Sequence, residues 1–307
     1  MDVLSDVVSS MRSGTPGAAR VELHGDWSWN LPGDAEVAGF MAVLTGNCWL
    51  FPDEVEDPIA VGPGDVVFSP HGDGYGLANS PVRPVHTLEE ARPNQGGFHS
   101  YEWSTTGSRS VVVYIAGGYR MNREGVHPLL TALPQHVFVR DGAPGLDWVL
   151  AGLDEETTTS RSGTDALLPL LLDTLLLYLL RACLDPDAAD HPSGWARAVA
   201  DPGIGAALAA VHRDPAYGWT VGSLAAVAKM SRATFARRFG ALTGRPPMAY
   251  VTWWRMNTAR RLLRDTNFSV KAVASHVGYG SPFAFSHAFR LAQGIPPLRY
   301  RAAQRPQ

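Results

Sequence analysis

Two stretches of this 307-residue chain set basic and hydroxyl side chains at helical spacing. The first, SRATFARRFGAL, runs from Ser231 to Leu242 and carries Arg232, Thr234, Arg237 and Arg238 among the small residues Ala233 and Ala236. The second, SPFAFSHAFRLA, runs from Ser281 to Ala292 and offers Pro282, Phe283, Ser286, His287 and Arg290. Residues three and four apart share a helix face, so Phe283, His287 and Arg290 fall in one row with Ser286 beside it. Arg232, Ala233, Ala236 and Arg237 make the matching row of the first stretch. Guanidinium forks and hydroxyls in such rows suit the anionic oxygens of a phosphate backbone and the polar edges of bases.

Both rows lie inside a repeat. The phrase GRPPMAY, Gly244 to Tyr250, returns fifty residues later as GIPPLRY, Gly294 to Tyr300; Ser231, Phe235 and Phe239 are matched in register by Ser281, Phe285 and Phe289. Self-similarity at a fixed offset marks one structural unit built twice. In the second copy Ser269 caps a helix whose Val270, Val273, Ala274 and Val277 follow i, i+3, i+4, i+7, and Gly278 stops it. Ser281 caps the next helix, with Pro282 at its first position, where a missing N–H costs nothing. In the first copy Thr220 caps a helix holding Leu224, Ala225 and Ala228, and a turn at Lys229-Met230 leads to the cap at Ser231. The spacing predicts two helix-turn-helix motifs, at about 220–242 and 270–292. Between them, residues 247–265 read as one long helix with Tyr250, Trp254, Met256, Ala259, Leu262 and Leu263 on its apolar side. At 1.5 Å per residue it is about 27 Å long, which holds two reading units near the ~34 Å repeat of major-groove windows.

Charge supports this division. Residues 201–307 contain 15 Lys and Arg against 3 acids, a net of +12, whereas residues 1–200 carry 11 against 26, a net of −15. A basic module of this kind meets a polyanion. Cys48 and Cys183 are the only cysteines, so no disulfide framework or multi-cysteine zinc site is implied, in keeping with a cytoplasmic setting. The first residues carry acids early and lack a long apolar core, so a signal peptide is not expected.

The stretch from Trp219 to Met256, followed by SVKAVASHVGYGSPFAFSHAFRLAQGIPPLRYR, resembles the DNA-binding domain of the AraC/XylS family of bacterial transcription regulators over about residues 205–303. The resemblance implies double-stranded promoter or operator DNA as partner, and RNA polymerase as well if the protein is an activator. Base contacts are implied at Ala233, Ala236 and Arg237, then at Pro282, Phe283 and His287. Members of the family often carry Arg where this chain has His287 and a polar residue where it has Phe283. Sequence reading is therefore expected to lean on Arg237 and Arg232, with Arg290 and Ser286 positioning the second copy on the backbone. Arg238 is read either as a DNA contact or as a surface residue shielding its helix.

The acidic part reads as β-rich from about residue 18 to 140, with short apolar runs bounded by Gly, Pro, Asn and Asp. PIAVGPGDVVFSPHGDGYGLAN, residues 58–79, has the Pro-Gly-Asp turn, apolar strand and Pro-x-Gly turn of a cupin half-barrel, and with GNCWLF it resembles the cupin-type sensor domain of some AraC-like regulators. That resemblance implies an effector, a small molecule or stress signal. Trp29, Trp49, Phe51, His71 and Tyr75 are the candidate pocket residues. His71 sits where cupin enzymes hold a metal, but Tyr75 replaces a second histidine and the other histidines (24, 86, 99, 127, 136) lack ligand spacing. No cofactor is expected, and His71 reads as a turn cap. Nothing basic lies near Cys48 to support a reactive thiol.

TDALLPLLLDTLLLYLLRACL, residues 164–184, could be a membrane span by composition. Asp173 at its centre would cost about 2.5–3.5 kcal/mol there, so a soluble helix is expected, packing internally or joining a homodimer. The chain thus reads as α+β: an N-terminal segment (1–17), a cupin-like β-barrel (18–140), a helical and dimerisation segment (141–184), a linker (185–200), and an all-α domain (201–307) with two helix-turn-helix motifs joined by a long helix. A sequence-specific, effector-responsive transcription regulator without enzymatic activity is the function expected. A metal-dependent cupin enzyme fused to a DNA-binding module is the competing reading, and a nucleoid-type architectural binder is a third.

Overall fold

The computed structural model describes residues 16–53, 55–82, 101–104, 111–121, 127–159, 161–185 and 194–304, together with Leu4 and Val8. Most of the expected N-terminal segment, half of the expected linker and His86 and His99 lie outside the described residues, and the end of that linker, Gly194–Ala200, is helical instead. The chain divides into two compact units. One comprises Met11–Arg123 and Leu130–Cys183; the other comprises Met1–Ser10, Glu124–Leu129 and Leu184–Gln307.

Among the described residues the first unit holds ten strands: β1 (Gly17–His24), β2 (Ser28–Leu31), β3 (Val37–Thr45), β4 (Cys48–Pro52), β5 (Ile59–Val61), β6 (Val66–Ser69), β7 (Tyr75–Ala78), β8 (Tyr101–Ser104), β9 (Val111–Arg120) and β10 (Val137–Val139). A short helix α1 (Pro128–Thr131) precedes β10, and α2 (Leu146–Thr158) and α3 (Thr164–Leu184) follow it. The strands make a six-stranded sheet in the order β10-β6-β3-β9-β1-β8 and a four-stranded sheet in the order β2-β7-β4-β5. The expected single barrel is thus replaced by two separate sheets. Their inner faces share one core: Leu23, Met41, Val43, Val67, Val112 and Tyr114 from the larger sheet pack with Cys48, Leu50, Val61 and Leu77 from the smaller.

Strands β3 and β6 of the larger sheet are buried on both faces. Phe40 to Val43 and Val66 to Ser69 are buried without interruption, the pattern of strands covered on two sides. Within this unit α2 packs on β1 and β3, and Arg20 of β1 pairs with Asp154 of α2 at 3.0 Å. The Tyr119 hydroxyl of β9 donates to the Leu172 carbonyl of α3. This explains the leucine-rich run: Leu168, Leu172, Leu175, Leu176, Leu179 and Leu180 are fully buried, while Leu170 stays 59% exposed. By length and composition, α3 is also the one helix among the described residues apolar enough to cross a membrane.

The second unit is helical: α4 (Gly194–Ala200), α5 (Pro202–Arg213), α6 (Val221–Val227), α7 (Arg232–Thr243), α8 (Pro247–Asp265), α9 (Val270–His276), α10 (Pro282–Gln293) and α11 (Pro297–Gln304). The turns after α6 and α9 have the same hydrogen bonds. Lys229 N–H reaches the Ala226 carbonyl and Met230 N–H reaches Ala225; Gly278 N–H reaches Ser275 and Tyr279 N–H reaches Ala274. The left-handed residue is Lys229 (φ 56°) in one and Gly278 (φ 78°) in the other. Lys pays for that conformation with Cβ crowding of about 1–2 kcal/mol. A Cβ on Gly278 would additionally stand 2.7 Å from the Ala216 carbonyl oxygen. Opposite signs are therefore expected in urea titrations followed by helical signal. Gly278→Ala should lower stability by about 2 kcal/mol or more, while Lys229→Gly should leave it unchanged or raise it by up to about 1 kcal/mol.

Candidate nucleic-acid interface

Helices α7 and α10 are each set by one cap, one aromatic pair and one stop. Ser231 Oγ accepts the Thr234 N–H at 3.2 Å, and Ser281 Oγ accepts the Ala284 N–H at 3.1 Å. Phe235 and Phe239 of α7, and Phe285 and Phe289 of α10, are fully buried one turn apart. Gly244 and Gly294 close the two helices at φ 71° and 72°. Upstream, Thr220 and Ser223 form a reciprocal capping box at the start of α6, and Ser269 caps α9.

Burying the two phenylalanines turns the remaining positions outward. Arg232, Ala233, Thr234, Arg237 and Arg238 of α7 are exposed and Ala236 is half-buried; on α10, Pro282, Phe283, His287 and Arg290 are exposed and Ser286 is half-buried. Phe283 is 84% exposed. Among the described residues, Arg232, Arg237 and Arg290 carry no ion pair or hydrogen bond to the protein. The two rows predicted from sequence are therefore both present at the surface, each on its own helix.

Other cations serve the unit itself. Arg255 donates to the Pro215 and Tyr217 carbonyls, both at 2.8 Å. Arg260 is buried against Tyr300, and Arg264 pairs with Asp265 at 2.7 Å. Arg238 forms an ion pair with Asp201, whose carboxylate also accepts the Gly203 and Ile204 N–H groups at 2.9 and 2.8 Å as the cap of α5. Burial pushes the Asp201 carboxyl up, but the two amides and Arg238 outweigh it and hold it below the ordinary range.

The chain is similar to known proteins over nearly its whole length. A helix-turn-helix domain profile matches residues 224–303, and a cupin profile matches residues 2–185. AraC-like transcription regulators of Streptomyces lividans and Streptomyces antibioticus are each 34% identical over 98% of this chain and 98% of their own length. The transcriptional regulator MtrA of Neisseria gonorrhoeae is 30% identical, again over 98% of both chains. The solved DNA-binding domain of AdpA, crystallised with a target DNA, is 40% identical over 34% of this chain and 92% of its own, with a TM-score of 0.32. The chain belongs to the AraC family of transcription regulators. Its function is accordingly that of a regulator that binds DNA, not of an enzyme. The cupin match in this AraC-family chain covers α2 and α3 as well as the strands.

Strand parity separates the five candidate effector residues of this AraC-family cupin region. Trp29 and Tyr75 pack against the core shared by the two sheets. On β4 that core takes Cys48 and Leu50, so the alternating Trp49 and Phe51 point to the other side of the smaller sheet. His71 donates from Nε2 to the Leu133 carbonyl at 2.9 Å, the bond of a loop fastener. Among the described residues no group of three or more His, Cys, Asp or Glu could hold a metal ion. Sequence reasoning passed over Ser69 and His136, whose Oγ and Nδ1 lie 2.9 Å apart, with the His136 ring edge-on to Tyr75 at 5.7 Å. Histidine spacing along the chain gave no sign of that pairing, which is made across the β6–β10 ladder.

Two measurements follow. Asp201→Ala removes the α5 cap and should cost about 1–2 kcal/mol. Because the folded carboxyl lies below its unfolded value, its contribution is present above pH ~3.9 and lost as pH falls through the folded pKa; Asp201→Asn should lack that acid loss in pH-dependent thermal melts. Burial pushes the Cys48 and Cys183 thiols up to about 12, so a disulfide thiol reagent at pH 8 should label neither in the native protein and both after denaturation.

Proposed function

We propose that the two outward rows read successive major-groove windows on one side of an operator, α7 and α10 acting as recognition helices of two helix-turn-helix motifs joined by α8. The observation that supports this most is the pairing, on each helix, of a buried Phe-Phe face with an opposite face whose Arg237 or Arg290 has no partner among the described residues. The 19 residues of α8 make a rod of about 28 Å, near the ~34 Å groove repeat.

The two rows read differently. Arg237 offers the bidentate donor fork that grips guanine O6 and N7, and Arg232 supports it at the head of the same helix. The second row offers Phe283 as an apolar edge for a thymine methyl and His287 with a single donor. Ser286 and Arg290 hold the backbone. Arg238, tied to Asp201, positions α7 and does not read.

The cupin region senses a small-molecule or stress effector in the cytoplasm and alters the response. A second copy of the chain packs on the outer stripe of α3, where Leu167 and Leu170 remain exposed. An activating complex would also contact RNA polymerase. Titration of operator variants with the full chain tests the DNA assignment. Arg237→Ala should lose about 1–3 kcal/mol of preference for the cognate base, roughly 10- to 100-fold, with His287→Ala losing less. The reverse order, or equal binding of all sequences, would overturn it.

A further inference from the structure

Residues 124–129 interrupt the sheet-rich unit in sequence but belong to the helical one, and His127 lies fully buried within it. Its ring is edge-on to Trp195 and to Trp253, both at 5.0 Å. Its two nitrogens fix a directed chain of hydrogen bonds. Nδ1 accepts the Leu129 N–H at 3.1 Å, so in the neutral ring Nε2 bears the proton. Nε2 then donates to the Tyr250 hydroxyl oxygen at 3.3 Å, and that hydroxyl donates to His212 Nε2 at 2.7 Å. His212 in turn stacks on Trp254 at 3.8 Å. Burial, helped by the neighbouring His212 ring and the Arg245 guanidinium, pushes the His127 pKa well below the ordinary histidine value.

The far side of Tyr250 touches the first recognition helix. Its ring is edge-on to Phe239 of α7 at 5.7 Å, and α4, which supplies Trp195, packs along α7. The indole nitrogens of Trp195 and Trp254 are buried without a hydrogen-bond partner among the described residues. Unpaired buried donors are costly, so this cluster is less firmly closed than an ordinary core.

We propose that the aromatic socket formed by Trp195, His212, Tyr250 and Trp253 is a docking site for this chain's own His127-Pro128-Leu129 segment, and that occupancy of the socket sets the order of α7. The assignment of α7 as a DNA reader rests on the proposed function; the socket and its occupant do not. The chain on either side of the segment belongs to the sheet-rich unit, so a change there has a covalent route to the socket. The seated state is the DNA-competent one, since it braces Tyr250 behind Phe239.

Amide hydrogen exchange of the full chain, followed by mass spectrometry, tests seating without DNA. His127→Ala should speed exchange in α7 at least tenfold, leave α10 unchanged, and be reversed by about 20 mM imidazole filling the vacated space. Tyr250→Phe, which keeps the ring and cuts the hydroxyl chain, should speed α7 exchange by a smaller factor and gain nothing from imidazole. Equal exchange in wild type and both variants would overturn the proposal, as would loosening spread over the whole unit that imidazole does not reverse. If His127→Ala does not fold, His127→Gln takes its place, judged by faster exchange in α7 with α10 unchanged and without the imidazole arm. In parallel, operator affinity should fall at least tenfold in His127→Ala. Failure of the wild type to bind any operator would count against the DNA reading alone, because the exchange result stands without it.

Discussion

The edge-on contact of Phe239 with Tyr250, made again by Phe289 with Tyr300 at 5.5 Å, is what the helical unit is built around. Helices of seven to twelve residues are marginal alone in water, so α6, α7, α9 and α10 exist only where a buried face holds them. Each fully buried phenylalanine contributes about 1.5–3 kcal/mol, and each aromatic pair adds about 0.5–1.5 kcal/mol. The Gly-x-Pro-Pro-x-x-Tyr phrase has a mechanical meaning in this setting. Glycine ends one helix, the second proline starts the next at its first turn, and the tyrosine three residues on folds back against the second phenylalanine. Once Phe235 and Phe239 point inward, Ala233 and Arg237 have only the outside left. Packing, not electrostatics, decides which side chains face outward.

Electrostatics then decides which of those side chains are free to act. The +12 of residues 201–307 is a property of composition, and a good part of it is spent inside the fold. Arg255 ties two carbonyls, Arg260 lies under Tyr300, and Arg238 closes the cap of α5 through Asp201. Three of the chain's basic side chains are thus structural ties of a unit with hardly any acids to offer them. Arg232, Arg237 and Arg290, on the outward rows, are left without such ties among the described residues.

Much of this was legible from residue order because it is local. Caps at Ser231, Ser269 and Ser281, stops at Gly244 and Gly294, and the i, i+4 phenylalanines are all read within one helix length, and each stands where the pattern put it. The leucine run showed too many buried positions for one stripe, and α3 buries Leu175, Leu176, Leu179 and Leu180 together. What escaped was non-local. Two sheets in place of one barrel, the β1–β8 parallel pairing, and the split of Trp49 and Phe51 from Trp29 and Tyr75 depend on register between distant strands. A one-residue difference in parity moves a side chain to the opposite face, and nothing along the chain counts that parity across a loop. His127 escaped for the same reason: its partners lie 68 to 126 positions away.

The two copies part company at the tyrosine hydroxyl. A buried tyrosine brings an apolar ring and an obligatory polar tip, so the repeated ring contact forces each copy to find a partner for its oxygen. Tyr300 takes Arg260 at 3.3 Å, from a helix of its own unit forty residues back. That guanidinium keeps its charge at any pH the protein meets, and it lies over the same ring. Tyr250 instead takes two neutral imidazoles, groups with pKa values near physiological pH when exposed. One copy is therefore closed by a permanent cation from within the repeat. The other is closed by histidines, one of which enters from residue 127, far upstream of the repeat. A unit duplicated in sequence has become two units with unequal supports, and the less self-sufficient one carries Arg237.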